Sequence, residues 1–288
     1  MFRRAYILFI VKTDSISHPV KSAKLPLGSD APVPVRLYGS KRAGGDGALV
    51  VHFHGGAFTS GDLDSGAPMA ELLAGVGAVV VSVDYPLAPA NPFPQAVEAG
   101  YAVLEWVWKH RTKLAGAQAR VFVAGEEAGG NLAAAVALVA RDKGHPPLDG
   151  QILITPMLDP CTGTASLREA MGQATECKWS QGWQQYLSKP MDAEHPYAVP
   201  GQVRRLAGLP PTLVMTGDDD PLRDEAARYA ERLAAGGIPA RFELLHTTTG
   251  WPESLTEAGP QDECRCGVLV RPHLSAFLYP ATPPPASG

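Results

Sequence analysis

The segment Gly125-Glu126-Glu127-Ala128-Gly129-Gly130-Asn131 joins an apolar run at residues 120–124 to a stretch of helical spacing at residues 128–141. This order predicts a strand, a sharp turn and a helix. Such a turn needs residues without bulky side chains, and the three glycines of the segment meet that need. The turn is therefore expected to raise the Glu127 side chain above the sheet, at a helix N-terminus whose amides favour an anion.

Apolar runs and helical stretches alternate on both sides of this turn. The alternation predicts an α/β fold, with a mostly parallel central sheet and helices on both faces. In such sheets ligands bind at the carboxyl ends of the strands. The predicted strands are residues 33–38, 48–53, 78–83, 120–124, 151–154, 212–215 and 240–245. The predicted helices are residues 70–76, 96–114, 128–141, 222–235 and 268–277.

Length and composition limit the class of protein. The chain has 288 residues, of which 45% are hydrophobic and 19% charged, and its formal net charge is -4. This size allows one large domain or two small ones. A mildly acidic chain without a basic stripe is not expected to bind nucleic acid. No apolar run approaches the about 18 residues of a membrane helix, so no membrane association is expected.

The N-terminus and the cysteines indicate a cytoplasmic protein. The apolar residues 5–11 lead into Lys12 without a small-residue cleavage site, so we interpret them as a strand or short helix rather than a signal peptide. The cysteines have neither the spacing of a zinc site nor the number for a disulfide scaffold. They are Cys161, Cys177, Cys264 and Cys266. We expect reduced thiols, no metal and no other cofactor.

Four motifs in order carry a resemblance to a known family. They are His54-Gly55-Gly56-Ala57, Val83-Asp84-Tyr85-Pro86-Leu87-Ala88-Pro89, the segment 125–131 and Asp220-Pro221-Leu222-Arg223-Asp224-Glu225. With these motifs the chain resembles the α/β-hydrolase superfamily, in its hormone-sensitive-lipase-like esterase group, from about residue 33 to residue 277. The resemblance implies a single α/β-hydrolase domain over residues 1–288, with a small lid insertion at residues 161–200.

The chain departs from this family at two positions of the catalytic triad. The family has a nucleophilic serine where this chain has Glu127. Aligning Gly250-Trp251 with the family's Gly-Phe puts Thr249 at the histidine position. A glutamate has no hydroxyl with which to form the usual acyl-enzyme. The family's acid persists as Asp220.

These departures lead us to predict a non-hydrolytic enzyme of natural-product metabolism. Glu127 would be the general acid or base, Asp220 a supporting acid, and the amides of Gly55, Gly56 and Ala128 the oxyanion hole. The reaction would be a cyclisation, an elimination or a conjugate addition that forms a C–C bond, on an apolar or aromatic small molecule. The predicted substrate contacts are His54, Trp179, Trp183, Tyr186, His246, Thr249 and Trp251.

Two alternatives to this prediction stay open. The first is a catalytically dead esterase homologue that binds a ligand or a partner protein. The second is a hydrolase with a carboxylate nucleophile or with residual activity. An exposed sheet edge would also allow a homodimer.

Overall fold

One mixed sheet forms the centre of the protein. The computed structural model describes residues 20–26, 32–42, 44–161, 163–172, 177–256 and 267–280. Within these residues eight strands pair in the order β1-β2-β4-β3-β5-β6-β7-β8. The strands are β1 (Lys21–Leu25), β2 (Val33–Tyr38), β3 (Ala48–Phe53), β4 (Val79–Val83), β5 (Arg120–Glu126), β6 (Gly150–Ile154), β7 (Thr212–Gly217) and β8 (Ala240–Leu245).

Helices connect most of these strands. In the described part of the chain they are α1 (Ala67–Gly75), α2 (Gln95–Leu114), α3 (Ala128–Lys143), α4 (Ala165–Met171), α5 (Lys178–Tyr186), α6 (Arg223–Ala235) and α7 (Gly267–Leu278). Short 3₁₀ helices cover Pro190–Glu194, Pro200–Gln202 and Glu253–Leu255. The two helices α4 and α5 lie in the long connection between β6 and β7.

The strand directions confirm the predicted fold class. The neighbours from β4 to β8 all pair in parallel, and only the pairs of β2 with β1 and with β4 are antiparallel. Every residue of β3 and β4 is buried, as expected of strands that are covered on both faces. The sequence did not indicate β1, because its short segment contains two lysines and lacks a continuous apolar run.

Two apolar layers cover the sheet. One contains side chains of α2, α3 and α6, and the other contains side chains of α1 and α7. Helix α3 is buried over residues 128–140, so it is packed on all sides. Burial on all sides explains why its sequence is apolar around the whole helix instead of along one stripe.

The predicted functional segments follow the carboxyl ends of the parallel strands, at one edge of the sheet. Strand β3 ends at Phe53 and runs into residues 54–57, β5 ends at Glu126, and β7 ends at Gly217 just before the acidic residues 218–220. The carboxyl ends of β3 and β5 are direct neighbours, since Phe53 pairs with Gly125. This adjacency brings the segment 54–57 against Glu126 and Glu127.

Helix α3 packs closely against the end of strand β3 at Gly129. A Cβ atom at Gly129 would lie 2.0 Å from the carbonyl oxygen of Phe53 and 2.4 Å from that of His54. We therefore expect Gly129→Ala to lower the free energy of unfolding by about 3 kcal/mol, because backbone atoms must move to admit the methyl group. Gly163→Ala is the matched control, since a Cβ there meets nothing within 4 Å. Guanidinium unfolding measures both; equal midpoints would contradict this packing.

Several predictions fall outside the described residues or are not decided by the fold. The predicted strand or short helix at residues 5–11 and the cysteines Cys264 and Cys266 lie outside the described residues. The single domain over residues 1–288, the lid at residues 161–200 and the cytoplasmic location stay predictions. In the described ranges, no helix is long and apolar enough to cross a membrane. The same ranges contain no group of three or more potential metal-binding side chains.

Candidate active site

Glu127 lies in the turn between β5 and α3, with backbone angles φ 52° and ψ -116°. A positive φ is unfavourable for a residue with a side chain and is kept only where the surroundings hold it. Three backbone hydrogen bonds do so here. The Glu127 N–H donates to Ile154, and the Glu127 carbonyl accepts from Met157 at 2.9 Å and from Asn131 at 3.3 Å. The turn therefore fixes the position of the Glu127 side chain.

The Glu127 carboxylate accepts hydrogen bonds from four donors. Its Oε2 accepts the backbone N–H of Gly56 at 2.5 Å and that of Ala57 at 3.0 Å. Its Oε1 accepts the indole N–H of Trp179 at 2.7 Å and lies 3.2 Å from Nζ of Lys178. Only 2% of Glu127 is exposed. We call these four groups the carboxylate cradle; they form an anion-binding site that the chain fills with its own side chain.

The oxyanion hole that the sequence predicts needs correction at Gly55. The Gly55 N–H donates to Oε1 of Glu126 at 3.2 Å, so the amide directed at Glu127 beside that of Gly56 belongs to Ala57. Ala128 begins α3 and is fully buried. Ala57 was missed because its role depends on a positive φ of 48°, which its sequence does not indicate.

Two neighbouring acids after β7 have different environments. Asp220 is 1% exposed, and its oxygens accept from Leu222 N–H at 2.8 Å and from the Thr216 hydroxyl at 2.9 Å. Asp219 instead holds the Thr249 loop, by accepting from the Thr249 N–H at 2.8 Å and the Thr249 hydroxyl at 2.9 Å. The acid hydrogen-bonded to Thr249 is therefore Asp219, and the sequence had pointed only to Asp220.

Comparisons with known proteins agree with this fold. A family model for the alpha/beta hydrolase fold matches residues 50–249. The chain is 36% identical to esterase LipI of Mycobacterium tuberculosis, over 78% of this chain and 73% of that protein. It is also 36% identical to carboxylesterase NlhH of the same species, over 72% of this chain and 66% of that protein. This chain belongs to the α/β-hydrolase family.

A solved structure also agrees with this family membership. EstE1, a thermostable carboxylesterase cloned from a metagenomic library, superposes with a TM-score of 0.78 at 33% identity, over 92% of each chain. The sequence relatives and this structure support the hormone-sensitive-lipase-like esterase group within the family.

These relatives overturn the predicted reaction class. Non-hydrolytic C–C chemistry in natural-product metabolism, of a lyase, cyclase or isomerase type, is wrong, because the similar proteins are named as esterases and carboxylesterases. The error arose because the prediction inferred the reaction from the substituted positions 127 and 249. The proteins that share the rest of the framework are named as esterases.

Lys178 connects the Glu127 carboxylate to a second acid. Its Nζ lies 2.6 Å from Oε1 of Glu253, in addition to its contact with Glu127. Burial alone would lower the pKa of Lys178, but the carboxylates of Glu127 and Glu253 outweigh burial and raise the pKa. The side chain is therefore an ammonium ion at neutral pH. No local pattern in the sequence indicated this residue, because the contact depends on how α5 packs over the turn.

The aromatic side chains of α5 differ in their surroundings. Trp179 reaches Glu127, whereas Trp183 and Tyr186 pack around Phe58, with ring centroids 5.1 Å and 3.9 Å from it. Both are almost fully buried. Their main role in this structure is to pack α5 onto residues 54–58, and contact with a substrate stays a prediction for them.

The remaining predicted contact residues lie in three different places. His54 is buried, and its Nδ1 and the Gly55 carbonyl oxygen are 2.7 Å apart; burial lowers the pKa of His54. His246 is at the surface, 3.2 Å from Asp218. Trp251 is 1% exposed and belongs to the apolar layer of α1 and α7, and contact with a substrate stays a prediction for it.

Asp220 is expected to make the stability of the protein depend on pH. Burial raises the pKa of Asp220 from 3.8 to about 6. The folded protein thus keeps a proton that the unfolded chain loses between these two values. The stabilisation is complete below pH 3.8 and is lost as the pH rises through about 6.

The variant Asp220→Asn tests this dependence, because an amide keeps an acceptor for the Leu222 N–H. Between pH 4 and pH 7, the free energy of unfolding of the wild type is expected to fall by about 1–3 kcal/mol relative to the variant. Guanidinium titrations at several pH values give this difference. A difference that does not change with pH would show that Asp220 is ionised throughout.

Proposed function

We propose that this protein hydrolyses carboxylic esters and that the Glu127 carboxylate activates the attacking water. Glu127 stands at the position of the family's nucleophilic serine, and Thr249 stands at the position of its histidine. The observation that carries the proposal is the contact of Oε2 with the amides of Gly56 and Ala57. Two converging N–H groups are what the oxygen of a tetrahedral intermediate requires.

In the proposed reaction, Glu127 takes a proton from water while the water oxygen bonds to the ester carbonyl carbon. The carbonyl oxygen becomes negative as Glu127 becomes neutral. A neutral carboxyl group accepts hydrogen bonds less strongly than a carboxylate. The amides of Gly56 and Ala57 can therefore transfer from Oε2 to the new oxyanion. When the intermediate collapses, the C–O bond to the alcohol breaks and the alkoxide takes the proton from Glu127.

Lys178 is suited to stabilise the charge in this reaction. Its ammonium group lies 3.2 Å from Oε1 of Glu127 and is half-exposed, whereas Glu127 is buried. A cation beside the reacting carboxylate stabilises negative charge that passes from Glu127 to the substrate. The flexible lysine side chain also lies on the solvent side of the carboxylate, so its movement would admit the ester.

The resting structure predicts slow turnover. Oε2 of Glu127 accepts hydrogen bonds from the amides of both Gly56 and Ala57. An ester oxygen can bind these amides only after their hydrogen bonds to Glu127 break. A substrate oxygen must therefore compete with the Glu127 carboxylate for the amides of Gly56 and Ala57. Small esters with activated alcohol groups are the appropriate first substrates, because their carbonyl carbons are the most reactive.

A panel of p-nitrophenyl esters from acetate to octanoate tests the proposal. We expect saturable hydrolysis by the purified protein, with rates above those of the heat-inactivated protein. A single turnover in ¹⁸O-labelled water should put the label into the released acid. Label in the Glu127 carboxyl group would contradict direct attack by water. No hydrolysis of any ester would overturn the proposed function and leave a ligand-binding protein.

A further inference from the structure

Three polar side chains are buried together beneath the segment 54–57. They are Ser82 on β4, His52 on β3 and Glu126 at the end of β5, and all three are 0% exposed. These strands are direct neighbours in the sheet, and His52 pairs in register with Ser82. His52 also pairs with Ala124, two residues before Glu126, so the three side chains lie on one face.

Hydrogen bonds connect the three side chains in a chain. Nδ1 of His52 lies 3.0 Å from the Ser82 hydroxyl, and Nε2 of His52 lies 2.8 Å from Oε2 of Glu126. The other Glu126 oxygen, Oε1, accepts the Gly55 N–H at 3.2 Å. A carboxylate can only accept, so the tautomer that matches an ionised Glu126 has its proton on Nε2 of His52, and its Nδ1 accepts from the Ser82 hydroxyl.

The arrangement links this buried chain to the carboxylate cradle. Successive N–H groups go to successive acids: Gly55 donates to Glu126, while Gly56 and Ala57 donate to Glu127. A displacement of Glu126 would therefore shift Gly55 and, through the backbone, the two amides that follow. Displacements of about 1 Å at a catalytic group can cost on the order of 10²-fold in rate.

Stability alone gives a weak reason for such a group. Buried polar networks must be fully paired to avoid a penalty, and apolar residues of similar size are often as stabilising. A network that ends on a backbone amide of the oxyanion segment has a geometric role that apolar side chains would not supply.

We propose that Ser82, His52 and Glu126 are positioning residues that hold the Gly56 and Ala57 amides in place through Gly55. Ser82 orients the imidazole ring, His52 orients the Glu126 carboxylate, and Glu126 holds Gly55. The rate effect of this network rests on the proposed ester hydrolysis, but its effect on the amides does not.

Two amide variants at His52 separate the proposed role from a general loss of stability. In His52→Gln the side-chain nitrogen can take the position of Nε2 and still donate to Glu126. In His52→Asn the amide is too short to do so. Amide hydrogen exchange over residues 53–58 is expected to accelerate at least 10-fold in His52→Asn and to stay near the wild-type rate in His52→Gln. Exchange in β6 and β7 should not change in either variant.

Ser82→Ala provides a milder variant should His52→Asn fail to fold. It removes only the hydrogen bond that orients the imidazole and is expected to accelerate exchange at Gly55, Gly56 and Ala57 about 3-fold. Thr212→Val is the matched control: it removes the buried hydrogen bonds of the Thr212 hydroxyl with Gln151 and with the Pro210 carbonyl, which do not lead to the segment 54–57. Its exchange over residues 53–58 should equal that of the wild type.

Kinetics give the second measurement. For p-nitrophenyl esters, His52→Asn is expected to lower kcat about 10-fold to 100-fold and to leave KM within about 2-fold, with rescue in His52→Gln. Wild-type-like exchange over residues 53–58 in both His52→Asn and Ser82→Ala would overturn the proposal. So would equal acceleration throughout the sheet. A wild type without ester hydrolysis would refute the proposed function only, since the exchange measurement needs no turnover.

Discussion

Glu127→Ala is expected to lower kcat for p-nitrophenyl esters by about 10³-fold, and added acetate is expected to restore part of the loss. The substitution removes the carboxylate together with the methylene group next to it, which together correspond to one acetate ion. The donors from Gly56, Ala57, Trp179 and Lys178 remain in place around the empty volume. An acetate ion bound there supplies a base at the position of the lost carboxylate.

The size of the added ion provides the sharpest part of this test. Acetate and formate fit the space, whereas benzoate exceeds it, so rescue should fall steeply for benzoate. Potassium chloride at equal ionic strength controls for salt, and acetate should not accelerate the wild type. Glu231→Gln, on the exposed side of α6, is the matched control for loss of one carboxylate and should keep wild-type kinetics. If Glu127→Ala hydrolyses esters at the wild-type rate, Glu127 is not the base.

Glu127→Ser combined with Thr249→His is expected to raise ester hydrolysis on the order of 10²-fold above the wild type. Loss of the glutamate frees the amides of Gly56 and Ala57 for a substrate oxygen. The serine hydroxyl would occupy the same strained turn. The histidine would stand on the loop that Asp219 holds through Thr249 and Gly250.

The two single variants are the controls for this gain. Glu127→Ser alone lacks a base and should be slower than the wild type. Thr249→His alone leaves Oε2 of Glu127 hydrogen-bonded to the amides of Gly56 and Ala57. The gain should therefore appear only in the double variant, as strong non-additivity between residues that act as a unit. Covalent labelling by a phosphonate ester, detected by mass spectrometry, should likewise appear only there. A double variant no faster than either single variant would show that the histidine does not reach the serine.

The site explains how an esterase framework can hold a buried glutamate at this turn. A carboxylate without partners in a buried position would cost several kcal/mol. Here its oxygens receive two amide hydrogen bonds, an indole hydrogen bond and an ammonium ion. The groups that would stabilise an oxyanion in catalysis thus stabilise the Glu127 carboxylate in the resting protein.

The sequence was sufficient for the fold because the signals for fold are local. Apolar runs, helical spacing and the glycines around residue 127 predicted the strand before the turn and the helix after it. The predicted ends of α2 and α3 also lie close to the observed ends, which are Gln95–Leu114 for α2 and Ala128–Lys143 for α3. The reaction class did not follow from the same reasoning, since the substitutions at positions 127 and 249 were given more weight than the framework around them.

The amino-acid sequence was enough to predict the α/β-hydrolase framework and the place of Glu127 on its strand-to-helix turn. The groups that surround the Glu127 carboxylate became known only from the folded chain. Trp179 is 52 positions away in the chain and Ala57 is 70 positions away. Contacts between such distant segments depend on the direction of each backbone and on how α5 packs over the turn. No local pattern encodes these directions, and for that reason Lys178, Ala57 and Asp219 were found only in the folded protein.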